Sequence, residues 1–365
     1  MQPFPHHRLR VFPLSERRSL TRVEDILIHP DSPPAPLSDT ATAQVACAAA
    51  AIRSARERGA SVILIYGAHL LRNGAALILD RLMSNSWVTH LATNGAGSIH
   101  DWEYAWLGRS TEKVEDNVES GTFGTWDETG RNLHLALLAG GIEGRGYGMS
   151  VGRFIVEDGC TLPPPEGLAT MVSHFPADPL APAAVELLAA MHRHGLGAGR
   201  HEVVHRWKHA SIFATAYRHG VPLTVHPGVG YDIVSCHPMF NGAAIGRAAE
   251  IDFKQFAGAV DQLDHGVVLN IGSAIMGPQV FEKSLSCVHN LRHQDGRPNV
   301  SGHSIYVVDL QDGGGWDWTR GEPPKSNAAY YLRFCKSYSR MGGTMQYVQA
   351  DNAAFVHALW KSLSV

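Results

Sequence analysis

Short apolar runs alternate with helical patterns along most of this chain. The runs cover residues 61–66, 88–93, 221–226, 266–271 and 304–310, and their residues are apolar throughout instead of alternating with polar ones. Strands have that composition when both of their faces are covered. Helical patterns cover residues 42–58, 71–85, 99–107, 125–139, 182–194, 207–219, 251–264 and 278–292. The alternation predicts an α/β fold with a doubly wound, mostly parallel sheet and helices on both faces.

Composition narrows the range of partners. Hydrophobic residues make up 44% of the chain and charged residues 18%, with a net charge of -3. A chain of this kind folds compactly and presents no basic surface for nucleic acid. No apolar stretch is long enough to span a bilayer, and the five cysteines lie far apart without a C-x-x-C pair. We expect no membrane or nucleic-acid partner, a cytoplasmic location and a homo-oligomer.

The chain shows no break in composition between two halves. We predict an N-terminal arm over residues 1–40, frayed and rich in arginine, and a single catalytic domain over residues 41–365. Residues 140–200, which contain the glycine-rich turn of residues 140–148 and the proline-rich segment of residues 159–180, are predicted to be an insertion or connecting region.

Two strand-to-helix loops are candidates for binding a ligand. Right-handed crossovers place the carboxyl ends of parallel strands on one edge of the sheet, where such folds bind their ligands. Gly67 and Ala68 follow the first strand, and the second is followed by a loop with Thr93, Asn94 and Gly95. Glycines there allow a phosphate to approach backbone N–H groups, although a plain turn explains the first loop equally well.

Acidic residues follow the second loop. Asp101 and Glu103 offer acceptors for ribose or amine groups, with helix capping by Asp101 as the alternative.

The loop after residues 221–226 concentrates titratable groups. Asp232 is a candidate anchor for a substrate ammonium group, and His226 and His237 are candidates for proton transfer near neutral pH. A loop cap with two satisfied histidines is the alternative. Lys325 follows two prolines beyond the carboxyl end of a predicted strand, where a desolvated amine can attack an imine.

Several of these segments resemble the deoxyhypusine synthase family. The resemblance lies in residues 67–103, in the helix, strand and loop of residues 211–232, in the strand and glycine cluster of residues 267–277, and in residues 305–315 with Lys325. Residues 94–108 are also similar to the NAD-binding domain of archaeal and cyanobacterial ornithine cyclodeaminases.

The resemblance implies a deoxyhypusine synthase-like Rossmann-type fold, NAD as cofactor and a homotetramer. It adds Gly272, Ser273, Asp312 and Gly313 to the residues that line the dinucleotide, and it implies that Lys325 is catalytic. The sequence departs from the family at residues 274–278, which lack the family's histidine. It also departs around the lysine, where Gly-Glu-Pro-Pro-Lys replaces Trp-Gly-Lys.

These observations predict an NAD-dependent enzyme that acts on a C–N bond of a small amine or amino acid through an imine, as in aminoalkyl transfer. An ornithine-cyclodeaminase-like lyase and a non-catalytic NAD-binding protein are alternatives. A third is a zinc-dependent hydrolase, because residues 201–205 read H-E-x-x-H. If that segment is helical, His201, His205 and His209 share one face as metal ligands, with Glu202 as base.

Overall fold

A computed structural model describes residues 4–364, so Met1 to Pro3 of the predicted arm and Val365 lie outside the described residues. The strands are β1 Thr21–Arg22, β2 Val62–Tyr66, β3 His90–Asn94, β4 Arg109–Ser110, β5 Gly159–Leu162, β6 Gly199–Glu202, β7 Leu223–His226, β8 Val267–Ile271, β9 Ser304–Asp309 and β10 Thr344–Gln349. The helices are α1 Val23–Ile26, α2 Asp39–Glu57, α3 Ala68–Arg72, α4 Ala76–Ser84, α5 Gly95–Leu107, α6 Val114–Glu119, α7 Asp127–Gly141, α8 Tyr147–Val156, α9 Pro165–His174, α10 Ala181–His194, α11 Ile212–His219, α12 Gly242–Asp261, α13 Met276–Gln294, α14 Arg333–Ser339 and α15 Asn352–Leu363.

The chain forms two compact units. One, here called the sheet unit, comprises Ile26–Gly97, His219–His226 and the residues from Phe253 onward. The other, here called the helical unit, comprises the residues up to Asp25 together with Ser98–Arg218 and Pro227–Asp252. The predicted division into an arm over 1–40 and one domain over 41–365 stays a prediction, because compact units are not by themselves domains that fold separately.

The sheet unit contains a six-stranded, entirely parallel sheet in the order β10-β9-β8-β2-β3-β7. Numbered along the chain, these strands stand in the order 3-2-1-4-5-6, which is typical of doubly wound dinucleotide-binding folds. The direction of winding reverses between β2 and β8, where Val62 pairs with Val267 and Tyr66 with Ile271. That reversal leaves a crevice at the carboxyl ends of the two strands.

Helices cover both faces of this sheet, which confirms the predicted fold class. On one face, Ile63 and Ile65 of β2 pack in a core with Phe256 of α12, Phe281 of α13 and Tyr338 of α14. On the other, α2 contacts β2, β8 and β10, and α15 contacts β9 and α2. Every residue of β2 and β8 is buried, because helices lie above and below them.

All five predicted strands are strands of this sheet, and β10 was missed. The predicted helix over 71–85 is interrupted, since α3 ends at Arg72 and α4 begins at Ala76. Gly74 lies between them with a φ of 81°, and a Cβ there would stand 1.8 Å from the carbonyl oxygen of Ile26. A helix cannot continue through a residue held in that conformation.

The helical unit differs in two ways from the sequence prediction. Leu14, Arg17 and Val23 are buried, so this part of the predicted arm is packed and not frayed. Within the predicted connecting region, β5 pairs with β6 in an antiparallel hairpin and Pro165–His174 forms a helix. No helix among residues 4–364 is both long and apolar enough to cross a bilayer.

Candidate functional site: the crevice between β2 and β8

The turns after β2 and β8 touch each other through their backbones. The N–H of Gly67 donates to the carbonyl of Ile271 at 3.1 Å, and the N–H of Gly272 donates to that of Val308 at 3.0 Å. A Cβ on Gly67 would lie 2.3 Å from the carbonyl oxygen of Gly272, and Gly272 itself has a φ of 60°. Gly67 therefore requires glycine for the contact between the turns, and Gly272 requires it for its backbone conformation.

Two further predicted residues lie at or just before the start of the helices that follow these turns. Ala68 is the first residue of α3, after Gly67. The hydroxyl of Ser273 accepts a hydrogen bond from the N–H of Gly277 at 3.0 Å in the first turn of α13. Gly67, Ala68, Gly272 and Ser273 therefore lie together at the carboxyl edge of β2 and β8.

An asparagine that the sequence analysis missed lies in the same crevice. Asn352 is the first residue of α15, and only 7% of its surface is exposed. Its carboxamide stands against Gly272, since a Cβ on that glycine would lie 2.4 Å from Nδ2. The buried Oδ1 of Asn352 accepts no hydrogen bond within residues 4–364. Because an unsatisfied buried acceptor costs about 1–3 kcal/mol, it indicates a place where a ligand or water donates.

The side chains after β3 are used within the turn itself. The hydroxyl of Thr93 donates to the carbonyl of Tyr66 at 3.0 Å, and Asn94 Oδ1 accepts from the N–H of Gly97 at 3.0 Å. Thr93 is fully buried, and Gly97 leaves room for it. The contact predicted between a cofactor and Thr93, Asn94 and Gly95 stays a prediction. Because the side chains of Thr93 and Asn94 are already hydrogen-bonded, such a contact would be made mainly by backbone groups.

The loop after β9 is folded by its own polar groups. Asp312 Oδ1 accepts from the N–H of Gly314 at 2.8 Å, and the N–H of Gly313 lies 3.5 Å from Oε1 of Gln349. Asp312 is exposed. This loop follows β9, the neighbour of β8, so Asp312 and Gly313 lie at the same edge of the sheet as Gly272.

Lys325 does not have the environment that was predicted for it. It is exposed, on a turn that the preceding prolines shape, and it makes no hydrogen bond or ion pair within the part of the chain that the structure describes. Its turn does adjoin the glycine-rich loop, because Asn327 Nδ2 donates to the carbonyl of Gly314 at 3.3 Å. The predicted desolvation of the amine is therefore wrong, whereas its place beside the loop after β9 is as expected.

Asp101 is buried in the helical unit and caps a helix. Its Oδ1 accepts from the N–H of Ile212 at 2.7 Å, and its Oδ2 accepts from the hydroxyl of Ser211, at the start of α11. Burial raises the pKa of this carboxyl to about 7. The prediction that Asp101 faces a ribose is wrong, and the capping alternative describes it.

Glu103 forms a buried ion pair with the N-terminal segment. Its two oxygens accept from Arg17 Nη1 and Nη2 at 2.8 and 2.7 Å. Thr129 and Ser110 donate to the same carboxylate. Burial raises the pKa of Glu103, but its contacts with Arg17 lower the pKa by more, so the net shift is downward. Every acceptor is occupied, so Glu103 does not serve a ribose or amine.

His226 ends β7 in a buried pocket of the sheet unit. Its Nε2 lies 3.2 Å from the Thr224 hydroxyl, and its ring meets Phe256 edge to face. Burial lowers its pKa to about 4. A histidine with so low a pKa is neutral throughout the physiological range, which does not favour the predicted titration near pH 7. A role of His226 in proton transfer stays a prediction.

Asp232 and His237 lie in the helical unit, and both are engaged by other groups of that unit. Asp232 Oδ2 accepts from the N–H of Gly228 at 2.7 Å. His237 Nδ1 accepts from the N–H of Met239 at 3.1 Å, which leaves the proton on Nε2, 3.4 Å from Oδ1 of Asp127. Both ring nitrogens of His237 are engaged, so its predicted role in proton transfer is not supported. The substrate role of Asp232 stays a prediction.

The H-E-x-x-H segment is not a helix, which removes the basis of the zinc alternative. His201 and Glu202 end β6, where His201 pairs with Cys160 of β5, and their side chains point to opposite faces of the hairpin. His205 is buried beyond the strand, and His209 lies in a separate single turn. Among residues 4–364, no three histidine, cysteine or acidic side chains are arranged to hold a metal ion.

The buried histidines make stability depend on pH. Burial lowers the pKa of His90 to about 3 and those of His134 and His226 to about 4. The unfolded chain, with a histidine pKa of about 6.5, takes up these protons first. Their contribution is therefore complete above about pH 6.5 and is lost as the pH falls toward 4, by on the order of 3 kcal/mol for one such group.

Urea unfolding between pH 7.5 and 4.5 measures this loss. A His226→Gln variant should show a shallower dependence on pH, whereas the exposed His174 can be changed to Gln as a control without effect on the slope. A wild-type stability that stays constant from pH 7.5 to 5 would contradict the assignment of neutral buried imidazoles.

The strand order and the crevice define a doubly wound α/β protein. No family model matches the sequence, and no curated protein does. Among solved structures, the chain is similar to apo ArgZ, an arginine dihydrolase from the ornithine-ammonia cycle in cyanobacteria, with 12% identity, a TM-score of 0.40, and coverage of 88% of this chain and 32% of that one. Unliganded AgrE is similar at 13% identity with a TM-score of 0.44, and the match covers 90% of this chain and 34% of AgrE. A conserved putative LOR/SDH protein from Methanococcus maripaludis S2 is similar at 11% identity with a TM-score of 0.42, and the match covers 97% of this chain and 76% of that protein.

The chain therefore spans about a third of the length of ArgZ and AgrE. Likenesses this distant assign neither a ligand nor a reaction.

Proposed function

We propose that the sheet unit binds NAD, with the pyrophosphate in the crevice between β2 and β8. The observation that carries the proposal is the strand order 3-2-1-4-5-6, which reverses where the turns at Gly67 and Gly272 meet. Open α/β sheets bind dinucleotides at that reversal, because N–H groups in the first turn of the following helix can bind phosphate oxygens there. The N–H groups of Gly67 and Gly272 themselves donate to Ile271 and Val308, so the phosphate would bind to the N–H groups of the residues that follow them.

Asn352 gives the crevice a polar group for which the protein has no use of its own. Its Oδ1 is buried beside Gly272 and accepts no hydrogen bond within residues 4–364. An acceptor in that place fits a donor of the cofactor, such as a ribose hydroxyl or the N–H of the nicotinamide carboxamide. Gly67, Ala68, Gly272 and Ser273 would line the pyrophosphate, and Asp312 and Gly313 would lie on the side toward β9.

We expect Asn352→Ala to weaken NAD binding about tenfold, because it removes one hydrogen bond to the ligand. The same change should leave the free energy of unfolding within about 0.5 kcal/mol, since Oδ1 has no partner in the protein. Calorimetric titration of the full chain with NAD measures the first effect, and urea unfolding without NAD measures the second.

Asn290→Ala, at an exposed asparagine of α13, is the matched control and should change neither quantity. Failure of the wild-type chain to retain or bind NAD would end the proposal. A fall in stability without a change in affinity would show that Asn352 has a structural role instead.

The proposed reaction is oxidation at a carbon bonded to nitrogen in a small amine or amino acid, giving an imine that is transferred, cyclised or hydrolysed. NAD would supply the hydride acceptor. The proposal draws on the resemblance of residues 267–277 and 305–315 to the deoxyhypusine synthase family. Lys325 is exposed and therefore not desolvated by burial, which gives little support to a covalent step at that residue.

Incubation with NAD and diamines or ornithine, followed by mass spectrometry, tests this step. Transfer gives a secondary amine, whereas a lyase releases ammonia and a cyclic product. Borohydride trapping of an imine on wild-type protein, absent in Lys325→Arg, would support the lysine. NAD binding without turnover of any amine would favour the non-catalytic alternative.

A further inference from the structure

A cavity between α7, α8 and β5 lies wholly within the helical unit. Its volume is about 90 Å³ for water-sized spheres. A water molecule occupies about 30 Å³ in the liquid, so the cavity holds roughly three waters, or a short aliphatic group whose charged ends remain at the opening. None of the predicted site residues lines it.

The floor of the cavity is small and apolar. Ala136 and Ala139 of α7 and Phe154 of α8 line it and are buried, and Gly140 accommodates the side chain of Ser150. The positions of α7 that line the cavity carry only alanine or glycine, which leaves the space open. A floor of this composition suits a short aliphatic group.

The rim of the cavity carries charges of both signs. Glu143 Oε2 accepts from Arg145 Nε at 2.8 Å and from Arg153 Nη1, and Arg153 Nε donates to Glu157 Oε1 at 2.8 Å. These four side chains are between 31% and 41% exposed, so their charged groups stand at the opening.

The ion pairs leave part of each charged group unused. Within residues 4–364, hydrogen bonds occupy neither the terminal nitrogens of Arg145 nor Nη2 of Arg153, and Glu143 Oε1 and Glu157 Oε2 accept none. Guanidinium N–H groups complement a carboxylate, and carboxylate oxygens complement an ammonium group. The opening therefore matches a zwitterion, while the floor matches an aliphatic group.

We propose that this cavity binds a small aliphatic α-amino acid of about the size of alanine or valine. The carboxylate would face Arg145 and Arg153, the ammonium group would face Glu143 and Glu157, and the side chain would enter between α7 and α8. A ligand in this place is separate from the NAD crevice of the sheet unit, so the two proposals stand independently.

Cys160 provides a reporter, because it lines the cavity and is only partly exposed. Burial raises the pKa of its thiol to about 12, so labelling is slow and has to be followed over hours. The test is the rate at which N-ethylmaleimide labels Cys160 at pH 8.5, followed by peptide mass spectrometry on the full chain. We expect L-alanine or L-valine at millimolar concentration to slow labelling at Cys160 at least threefold and to leave labelling at the exposed Cys47 and Cys287 unchanged.

Calorimetric titration with L-valine then separates the contributions of rim and floor. Arg145→Gln should weaken binding at least tenfold, and Ala139→Leu, which fills the floor, should abolish it. Arg131→Gln removes an arginine that pairs with Asp127 on the same helix outside the cavity, and it should leave binding unchanged.

Absence of both protection and heat with alanine and valine would overturn the proposal. So would equal protection by acetate or by methylammonium alone, because that would indicate a site for a simple ion. Equal weakening by Arg131→Gln would also overturn it, since the effect would then be one of general charge.

Discussion

Arg17→Met is expected to lower the free energy of unfolding by about 3–5 kcal/mol, which is the usual cost of leaving one partner of a buried ion pair without the other. Arg17 and Glu103 are 4% and 0% exposed, and two parallel hydrogen bonds join them. Without the guanidinium, the carboxylate of Glu103 either stays charged without compensation or takes up a proton. Urea unfolding at pH 7.5 measures the loss.

Two variants separate the ion pair from other contributions. Arg18→Met changes the exposed neighbouring arginine and should alter stability by less than about 0.5 kcal/mol. The double variant Arg17→Met, Glu103→Leu should recover part of the loss, because it removes the unpaired carboxylate of Glu103. Recovery stays incomplete because the nearly buried Glu112, 3.8 Å from Arg17 Nη1, also loses its cation. A single variant as stable as wild type would show that residues near Arg17 do not pack as described.

The second large effect is expected from Gly67→Ala, at about 3 kcal/mol of stability. The new methyl group would stand 2.3 Å from the carbonyl oxygen of Gly272, and backbone atoms cannot move aside as a flexible side chain can. The turns after β2 and β8 must then separate, so NAD binding should fall together with stability. Urea unfolding and calorimetric titration with NAD measure the two effects.

Gly258→Ala is the matched control. Gly258 lies inside α12 in the same unit, with no atom within 4 Å of the position its Cβ would take. Because alanine is the better helix former, this variant should gain about 0.5–1 kcal/mol. A Gly67→Ala variant as stable as wild type would contradict the backbone contact between the turns.

The central strands were predictable from the sequence, whereas the edge strand was not. β2 and β8 are buried on both faces, so their residues are apolar without interruption. β10 contains Thr344 and Gln346 and lies at the edge of the sheet, where part of the strand meets solvent. A pattern of unbroken apolar runs therefore does not predict β10, and Asn352, which begins the helix directly after β10, was missed with it.

The acidic residues show why the candidate site was harder to predict than the fold. Asp101 and Glu103 follow a glycine-rich loop, as ligand-binding carboxylates often do, but Arg17 and Ser211 occupy them from distant parts of the chain. A pattern along the sequence does not show which partners folding brings. The prediction for the histidines at 201 and 205 fails for a related reason, because pairing with β5 makes the segment through Glu202 extended and His205 lies beyond the strand.

The pairing at the middle of the sheet also governs how this protein is made. β2 begins at Val62, yet one of its two neighbours is a strand that begins at Val267. During synthesis on the ribosome, the side of β2 that pairs with β8 has no hydrogen-bonding partner until most of the chain has been made. Nascent chains halted before residue 267 therefore present an open, strongly apolar strand, so chaperone demand should be greatest late in translation and fall once β8 emerges.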